Sequence, residues 1–88
     1  MATEYRLPPP PFWRTRYYEA TRSKAGRAAI DNQDVAAVLA APYRTQRQAD
    51  GRIRHWGRVP RLQRWLRVVT LEDDSTVHNA FLDRRFKP

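Results

Sequence analysis

Two histidines are the side chains of this sequence that can transfer a proton near neutral pH. His55 and His78 lie far apart along the chain, and Asn79 follows the second one. Cleavage of RNA through its 2′-hydroxyl requires a proton acceptor and a proton donor of this kind, and it needs no metal ion. It also requires cations that stabilise the growing charge on the phosphate, which arginine can supply while His78 and Asn79 handle the proton or orient the 2′-hydroxyl. The residues expected to share this chemistry are Arg54, Arg67, His78, Asn79 and Arg84.

Each histidine also has a structural interpretation. Strand alternation places His55 on the same side as Ile53 and Val59, which is the side expected to pack on the core. For His78 two orientations stay open, because both sides of its strand are half apolar and a shift of one residue in register exchanges them. Neither histidine has carboxylates at a spacing that resembles a metal site, so we expect no metal and no cofactor.

The segment from Arg44 to Arg67 combines positive charge with aromatic rings. It holds eight arginines, one acid (Asp50) and the indoles of Trp56 and Trp65. The guanidinium group matches the geometry of phosphate and stacks on flat rings, so arginines interleaved with aromatics on a strand are typical of surfaces that hold RNA. The residues expected to contact nucleic acid are Arg52, Trp56, Arg58, Arg61, Arg64, Trp65, Arg85 and Lys87.

A solvated strand face is the alternative interpretation of these arginines. Arg67, for example, can be the cross-strand partner of an acid such as Asp83, a contact of little value on a surface. Trp56 and Trp65 can stack on bases only if their rings are exposed. The charge of Arg44–Arg67 is not balanced locally, and this favours a polyanion as the partner.

Composition indicates one small basic domain. The chain has 88 residues, a net charge of +8 and 41% hydrophobic residues, which suffices for one modest core. It has no cysteine, so disulfides and thiolate chemistry are excluded, and its three glycines lie too far apart for a phosphate-binding loop. The sequence shows neither a signal-peptide pattern nor an apolar run long enough to span a bilayer, so we expect a cytoplasmic protein without membrane contact.

The hydrophobic pattern predicts two helices followed by four strands. Residues 1–11 end in four prolines and predict an extended arm, while residues 12–88 form a single domain. One helix is expected at Phe12–Arg27, and another begins at Asp31 or Asn32 and ends at Pro42. The predicted strands, separated by turn sequences, are Thr45–Ala49, Arg52–Val59, a strand from Arg64 or Trp65 to Leu71, and Thr76–Asp83. The expected fold class is α+β, with two N-terminal helices packed on one face of a four-stranded antiparallel meander sheet.

Several segments between Ile30 and Lys87 resemble small bacterial proteins related to BrnT-like and RelE-like toxins. The resembling segments are Ile30–Val35, Val38–Pro42, Asp50–Arg52, Leu66–Val69, Thr76–Phe81 and Asp83–Arg84. The resemblance implies a helical hairpin on a curved antiparallel sheet, as in RelE-like toxins, barnase and the colicin ribonucleases. In that group the concave sheet face holds RNA, and many members are covered by an acidic antitoxin. Relatives commonly have a histidine on the first helix, where this chain has Tyr17–Ala20.

The sequence and the resemblance therefore predict a toxin-like RNA-binding protein. More specifically, they predict a metal-independent endoribonuclease of a toxin–antitoxin system, similar to mRNA interferases. Its expected partners are RNA or the ribosome, together with a small acidic antitoxin. The alternative is a basic module that binds RNA, the ribosome or an acidic protein without any reaction. A further alternative is a subunit whose aromatic N-terminal helix is buried against another protein.

Overall fold

Short N-terminal elements precede four longer strands. The computed structural model of the protein describes residues 6–7, 11–24, 27 and 29–88. The helices are α1 (Arg16–Thr21) and α2 (Asn32–Ala40). The strands are β1 (Arg6–Leu7), β2 (Arg14–Thr15), β3 (Arg44–Arg47), β4 (Ile53–Val59), β5 (Arg64–Thr70) and β6 (Val77–Leu82).

The described strands form one mixed sheet in the order β1-β2-β6-β5-β4-β3. Strands β3 to β6 pair with their neighbours in antiparallel fashion, whereas β2 runs parallel to β6 and pairs Arg14 with Val77. The prediction of a four-stranded antiparallel meander is therefore wrong in both strand number and sheet type. The reason lies in the N-terminal segment, since β1 and β2 have two residues each and are too short to show any periodicity.

The predicted helix Phe12–Arg27 is wrong in extent, because α1 covers only Arg16–Thr21. The Oγ1 atom of Thr15 accepts a hydrogen bond from the backbone N–H of Tyr18 at 3.1 Å, which caps the helix at its start. Upstream of this cap, the carbonyl of Trp13 accepts a hydrogen bond from the backbone N–H of Val77 at 2.8 Å. Residues 13–15 are thus extended beside β6 and do not belong to the helix. Most of the predicted proline arm (residues 1–5 and 8–10) lies outside the described residues.

Helix α2 begins where the capping residues predict. Asp31 is the N-cap, and its backbone N–H donates a hydrogen bond to the carboxylate of Asp34 at 2.9 Å. Val35 and Val38 are buried against β4 and β5 and contribute to the core between the helices and the sheet. The helix lies close to β4, since a Cβ atom added to Gly57 would come within 2.8 Å of a methyl group of Val38. A glycine at this position allows the two elements to approach.

A β-bulge determines the orientation of the side chains of β6. Val77 pairs with Thr70 and Asn79 pairs with Val69, so His78 is the extra residue between two consecutive pairs. Strict alternation does not hold across this bulge. Val77 and Ala80 are both buried in the core beneath the helices, whereas Asn79 lies beside Val69 on the opposite side of the sheet.

Candidate nucleic-acid interface on the open face of the sheet

The open face, defined as the side of β3–β6 that is turned away from α1 and α2, has a row of alternating arginines and rings. Strand register pairs Arg44 with Trp56, Trp56 with Arg67, and Arg67 with Phe81. The guanidinium carbon of Arg67 lies 5.5 Å from the ring centre of Trp56 and 4.9 Å from that of Phe81. Cation–π attraction therefore holds Arg67 between two rings, with its charge in the middle of the face.

Asp83 connects this row to the C-terminal residues through hydrogen bonds. Its Oδ2 atom accepts hydrogen bonds from Nε1 of Trp56 at 2.9 Å and from Nε and Nη2 of Arg67 at 3.1 and 2.9 Å. Its Oδ1 atom accepts from the backbone N–H of Arg85 at 3.0 Å. Burial by itself raises the pKa of a carboxyl group, but the bonds from Trp56 and Arg67 outweigh it and hold the pKa of Asp83 below its ordinary value. Asp83 is thus an ionised carboxylate whose oxygens are already engaged.

The C-terminal segment (residues 84–88) covers Trp56. The ring of Phe86 stacks on the indole with ring centres 5.0 Å apart and an angle of 18° between the planes. Phe86 also contacts Trp65 at 4.9 Å and Tyr43 at 6.1 Å, measured between ring centres. Trp56 is consequently only 6% exposed, and the condition for base stacking is not met there, while Tyr43 is 57% exposed. Tyr43 and Phe86 were not among the residues predicted from the sequence, although Phe86 lies between two basic residues, Arg85 and Lys87.

A cleft of about 330 Å³ opens beside this aromatic cluster. The described residues with charged side chains that line it are four cations and one carboxylate, namely Arg44, Arg67, Arg85, Lys87 and Asp83. The carboxylate is already engaged with Arg67, so the remaining charge of the cleft is strongly positive. A cleft with this charge attracts phosphate or another anion.

The other predicted arginines are distributed unevenly around the sheet. Arg58 is exposed and pairs with Trp65 on the open face. Arg54 also lies there, and it donates hydrogen bonds to the side chains of Gln46 and Gln48, both at 3.2 Å. Arg52 is beside Asp50 in the β3–β4 turn, with a closest charged-atom distance of 3.9 Å.

Arg64 and Arg84 lie at one end of the sheet rather than in the middle of the open face. Arg64 pairs with Val59, whose side chain belongs to the core, and it is exposed at the beginning of β5. Together with Arg84 and Trp65 it lines a shallow depression that Asp83 also reaches. Both arginines are accessible to a ligand that extends past Trp65.

Arg61 is in the loop between β4 and β5, and its side chain contacts the start of α2 and not the open face. It pairs with the carboxylates of Asp34 and Asp31 and donates a hydrogen bond to the backbone carbonyl of Ala29 at 2.8 Å. Burial alone would raise the pKa of Asp34, but the hydrogen bond from Arg61 and the Asp31 backbone N–H hold it below its ordinary value. These contacts give Arg61 a structural role at the start of α2, and its contact with nucleic acid stays a prediction.

Neither histidine faces the open side. His78, the bulged residue, stacks on Tyr17 with ring centres 4.7 Å apart, and its Nδ1 atom lies 3.0 Å from Oγ1 of Thr15. It therefore lies against α1, whereas its neighbour Asn79 is on the open face. The structure does not bring His78 together with Arg54 and Arg67, so the predicted catalytic set is divided between the two sides of the sheet.

His55 is buried on the helix side. Its Nε2 atom lies 3.0 Å from Oγ1 of Thr70 and 3.2 Å from a carboxylate oxygen of Asp74. Its Nδ1 atom has no hydrogen-bond partner among the described residues. Burial lowers the pKa of His55 below its ordinary value, and the nearby Asp74 opposes this shift only in part. Its position fits the structural interpretation of this histidine.

Within the described ranges, no cluster of three or more acidic or histidine side chains is arranged to hold a metal ion. No helix of this described part is long and apolar enough to cross a membrane. The chain matches no protein-family model, no curated protein and no solved structure.

Proposed function

We propose that the open face binds single-stranded RNA without cleaving it. The observation that carries this proposal is the cross-strand row of Arg44, Trp56 and Arg67 beside a cleft in which cations outnumber carboxylates four to one. Such a surface attracts phosphates through its charge, and unpaired bases can stack on the exposed ring of Tyr43 beside it. Arg58 and Trp65 extend the same combination toward the end of the sheet.

The arrangement of titratable groups favours binding over cleavage. General acid–base catalysis requires a proton acceptor within hydrogen-bond reach of the 2′-hydroxyl. His55 and His78 are both on the helix side, and the carboxylate of the cleft, Asp83, already accepts bonds from Trp56 and Arg67. The endoribonuclease activity predicted from the sequence therefore has no comparable support. A toxin–antitoxin role, an acidic antitoxin and a cytoplasmic location remain predictions.

Matched charge variants test the proposal. The Arg58→Gln/Arg85→Gln variant removes two positive charges from the open face and the cleft. The control variant, Lys24→Gln/Arg47→Gln, removes two charges elsewhere, because Lys24 follows α1 and Arg47 pairs with Ile53 on the helix side. Binding of a labelled single-stranded RNA is followed by fluorescence anisotropy at several salt concentrations in EDTA.

We expect the Arg58→Gln/Arg85→Gln variant to bind RNA more weakly than the control variant at every salt concentration. We also expect the slope of log K against log salt to become shallower by about 0.7 for each phosphate contact that is lost. Equal affinities and equal slopes for the two variants would show that the open face is not the binding surface. Shortening of the labelled RNA during the measurement would overturn the non-catalytic assignment.

A further inference from the structure

We infer that the face of Trp56 now covered by Phe86 is a binding site for one unpaired nucleobase. The inference rests on the proposed function, since it specifies where on the open face a base is held. Phe86 lies on Trp56 nearly in parallel, 5.0 Å away and 18° from coplanar, which is the offset-stacked geometry that a base adopts on an aromatic side chain. The chain's own ring thus occupies the position of a base.

The indole of Trp56 is held in place independently of Phe86. Its Nε1 atom donates to Asp83 at 2.9 Å, and the guanidinium carbon of Arg67 lies 5.5 Å from its ring centre. Asp83 and Arg67 are in turn bonded to each other. Departure of Phe86 would therefore leave Trp56 correctly oriented, and a base would find a stacking surface that is already organised.

The contacts that hold Phe86 are ones that a base can replace. Residues 84–88 form neither helix nor strand. The backbone N–H of Arg85 anchors the start of this segment to Asp83 at 3.0 Å, but the hydrogen bonds at Phe86 and Lys87 are longer. The backbone N–H of Phe86 donates to the carbonyl of Asp83 at 3.4 Å, and Nη1 of Arg44 donates to the carbonyl of Lys87 at 3.4 Å. The ring itself contributes stacking, and base–aromatic stacking is of comparable strength to the contact between two aromatic side chains.

Positive side chains line the same cleft as Phe86. The guanidinium carbon of Arg44 lies 5.0 Å from the ring centre of Phe86, and Arg85 and Lys87 flank Phe86 in the sequence. A base in place of Phe86 would bring its own phosphate close to these cations. The ligand that fits is thus an unpaired base within a phosphodiester strand, rather than a phosphate alone or an apolar ring alone.

Two nucleic-acid strands of equal charge, one with bases and one without, distinguish base binding from phosphate binding. The Phe86→Ala variant is compared with the wild-type chain for binding to a short single-stranded oligoribonucleotide and to an abasic ribose-phosphate strand of equal length. Loss of the covering ring should tighten binding of the oligoribonucleotide by roughly 3- to 10-fold, which corresponds to the strength of one aromatic pair. Binding of the abasic strand should change little, and weaker or equal binding of both strands by the variant would overturn the inference.

A second experiment keeps Phe86 and the native C-terminal segment, so its result does not depend on how well the Phe86→Ala variant folds. In a Trp13→Phe/Trp65→Phe protein, Trp56 is the one remaining tryptophan, since the chain has three. Saturation with the oligoribonucleotide should quench its fluorescence through stacking, whereas the abasic strand should not. Binding of the oligoribonucleotide with unchanged Trp56 fluorescence would overturn the base site and leave the proposed function standing. Failure of every variant and of the wild-type chain to bind either strand would overturn both.

Discussion

Arg67 donates two hydrogen bonds to a single carboxylate oxygen of Asp83, from Nε at 3.1 Å and from Nη2 at 2.9 Å. The pair joins the centre of β5 to the residue that follows β6, and the same oxygen accepts the indole N–H of Trp56. A buried carboxylate oxygen with three donors keeps these groups in fixed relative positions. The centre of the open face is thus rigid, while exposed cations such as Arg58 and Arg85 surround it.

Replacement of Asp83 should destabilise the fold measurably. In the Asp83→Asn variant the charge facing Arg67 is lost, and the amide nitrogen takes the place of one oxygen. Either the three donors on Oδ2 or the backbone N–H of Arg85 on Oδ1 then lose their acceptor. We expect the free energy of unfolding at pH 7 to fall by about 1–3 kcal/mol, as for a buried hydrogen bond to a charged group. Urea denaturation measures it. The exposed control Asp50→Asn should change stability by less than about 0.5 kcal/mol, and equal losses in the two variants would mean that the Asp83 contacts contribute little.

Stability should decrease in mildly acidic solution because of His55. Its pKa in the folded protein lies below the ordinary value of 6.5, so above that pH both folded and unfolded chains carry the neutral ring. As the pH falls below 6.5, the unfolded chain takes up a proton that the folded chain does not, and the free energy of unfolding decreases until the folded pKa is reached. Denaturation at pH 7.5 and pH 5 should show a smaller decrease in His55→Gln than in the wild-type chain. An identical decrease would assign the pH dependence to other groups.

The close approach of α2 to β4 predicts a coupling between Gly57 and Val38. In Gly57→Ala the new methyl group would meet Val38 at 2.8 Å, which should destabilise the protein by roughly 1–3 kcal/mol. Val38→Ala alone should also be destabilising, because it leaves a cavity. In the double variant the smaller side chain makes room for the added methyl group, so the combined loss should be less than the sum of the two. Strictly additive losses in a double-mutant cycle would indicate that the backbone moves instead.

Arg61 should matter for stability and not for RNA affinity. It holds the carboxylates of Asp31 and Asp34 at the start of α2, away from the open face. We expect Arg61→Gln to lower the midpoint of thermal unfolding while its RNA affinity falls less than that of Arg58→Gln, which removes the same charge. The reverse order of affinities would mean that RNA also contacts the helix side.

Helix α2 and the strands β4 to β6 could be predicted because each has a local signal. Asp31 and Asp34 mark the start of α2, Val68 and Val69 favour a strand, and Asp50-Gly51 marks the turn before β4, where Gly51 has a φ of +93°. The strand boundaries agree with the structure to within about two residues. The N-terminal elements have no such signal, since β2 exists only through its pairing with the distant β6.

The site was harder to predict than the fold for two physical reasons. The bulge at His78 moves one residue out of the alternating pattern, so no periodicity argument assigns the faces of β6 correctly. The cover of Trp56 comes from Phe86, thirty residues later in the chain, and the contact depends on the path of a segment without regular structure. A contact between Arg67 and an acid such as Asp83 was the alternative to a phosphate-binding role, and the structure contains this contact, with Asp83 buried rather than on the surface.

The most direct test of binding without cleavage is a salt titration of wild-type protein with end-labelled single-stranded RNA in EDTA, followed by a denaturing gel of the same samples. The account predicts an affinity that decreases steeply with salt, with a slope of about −0.7 for each phosphate contacted, and RNA that remains full-length on the gel. RNA that does not bind at low salt would contradict the assignment of the open face. RNA that is shortened, and that stays intact with His78→Gln, would instead establish a ribonuclease that works from the helix side.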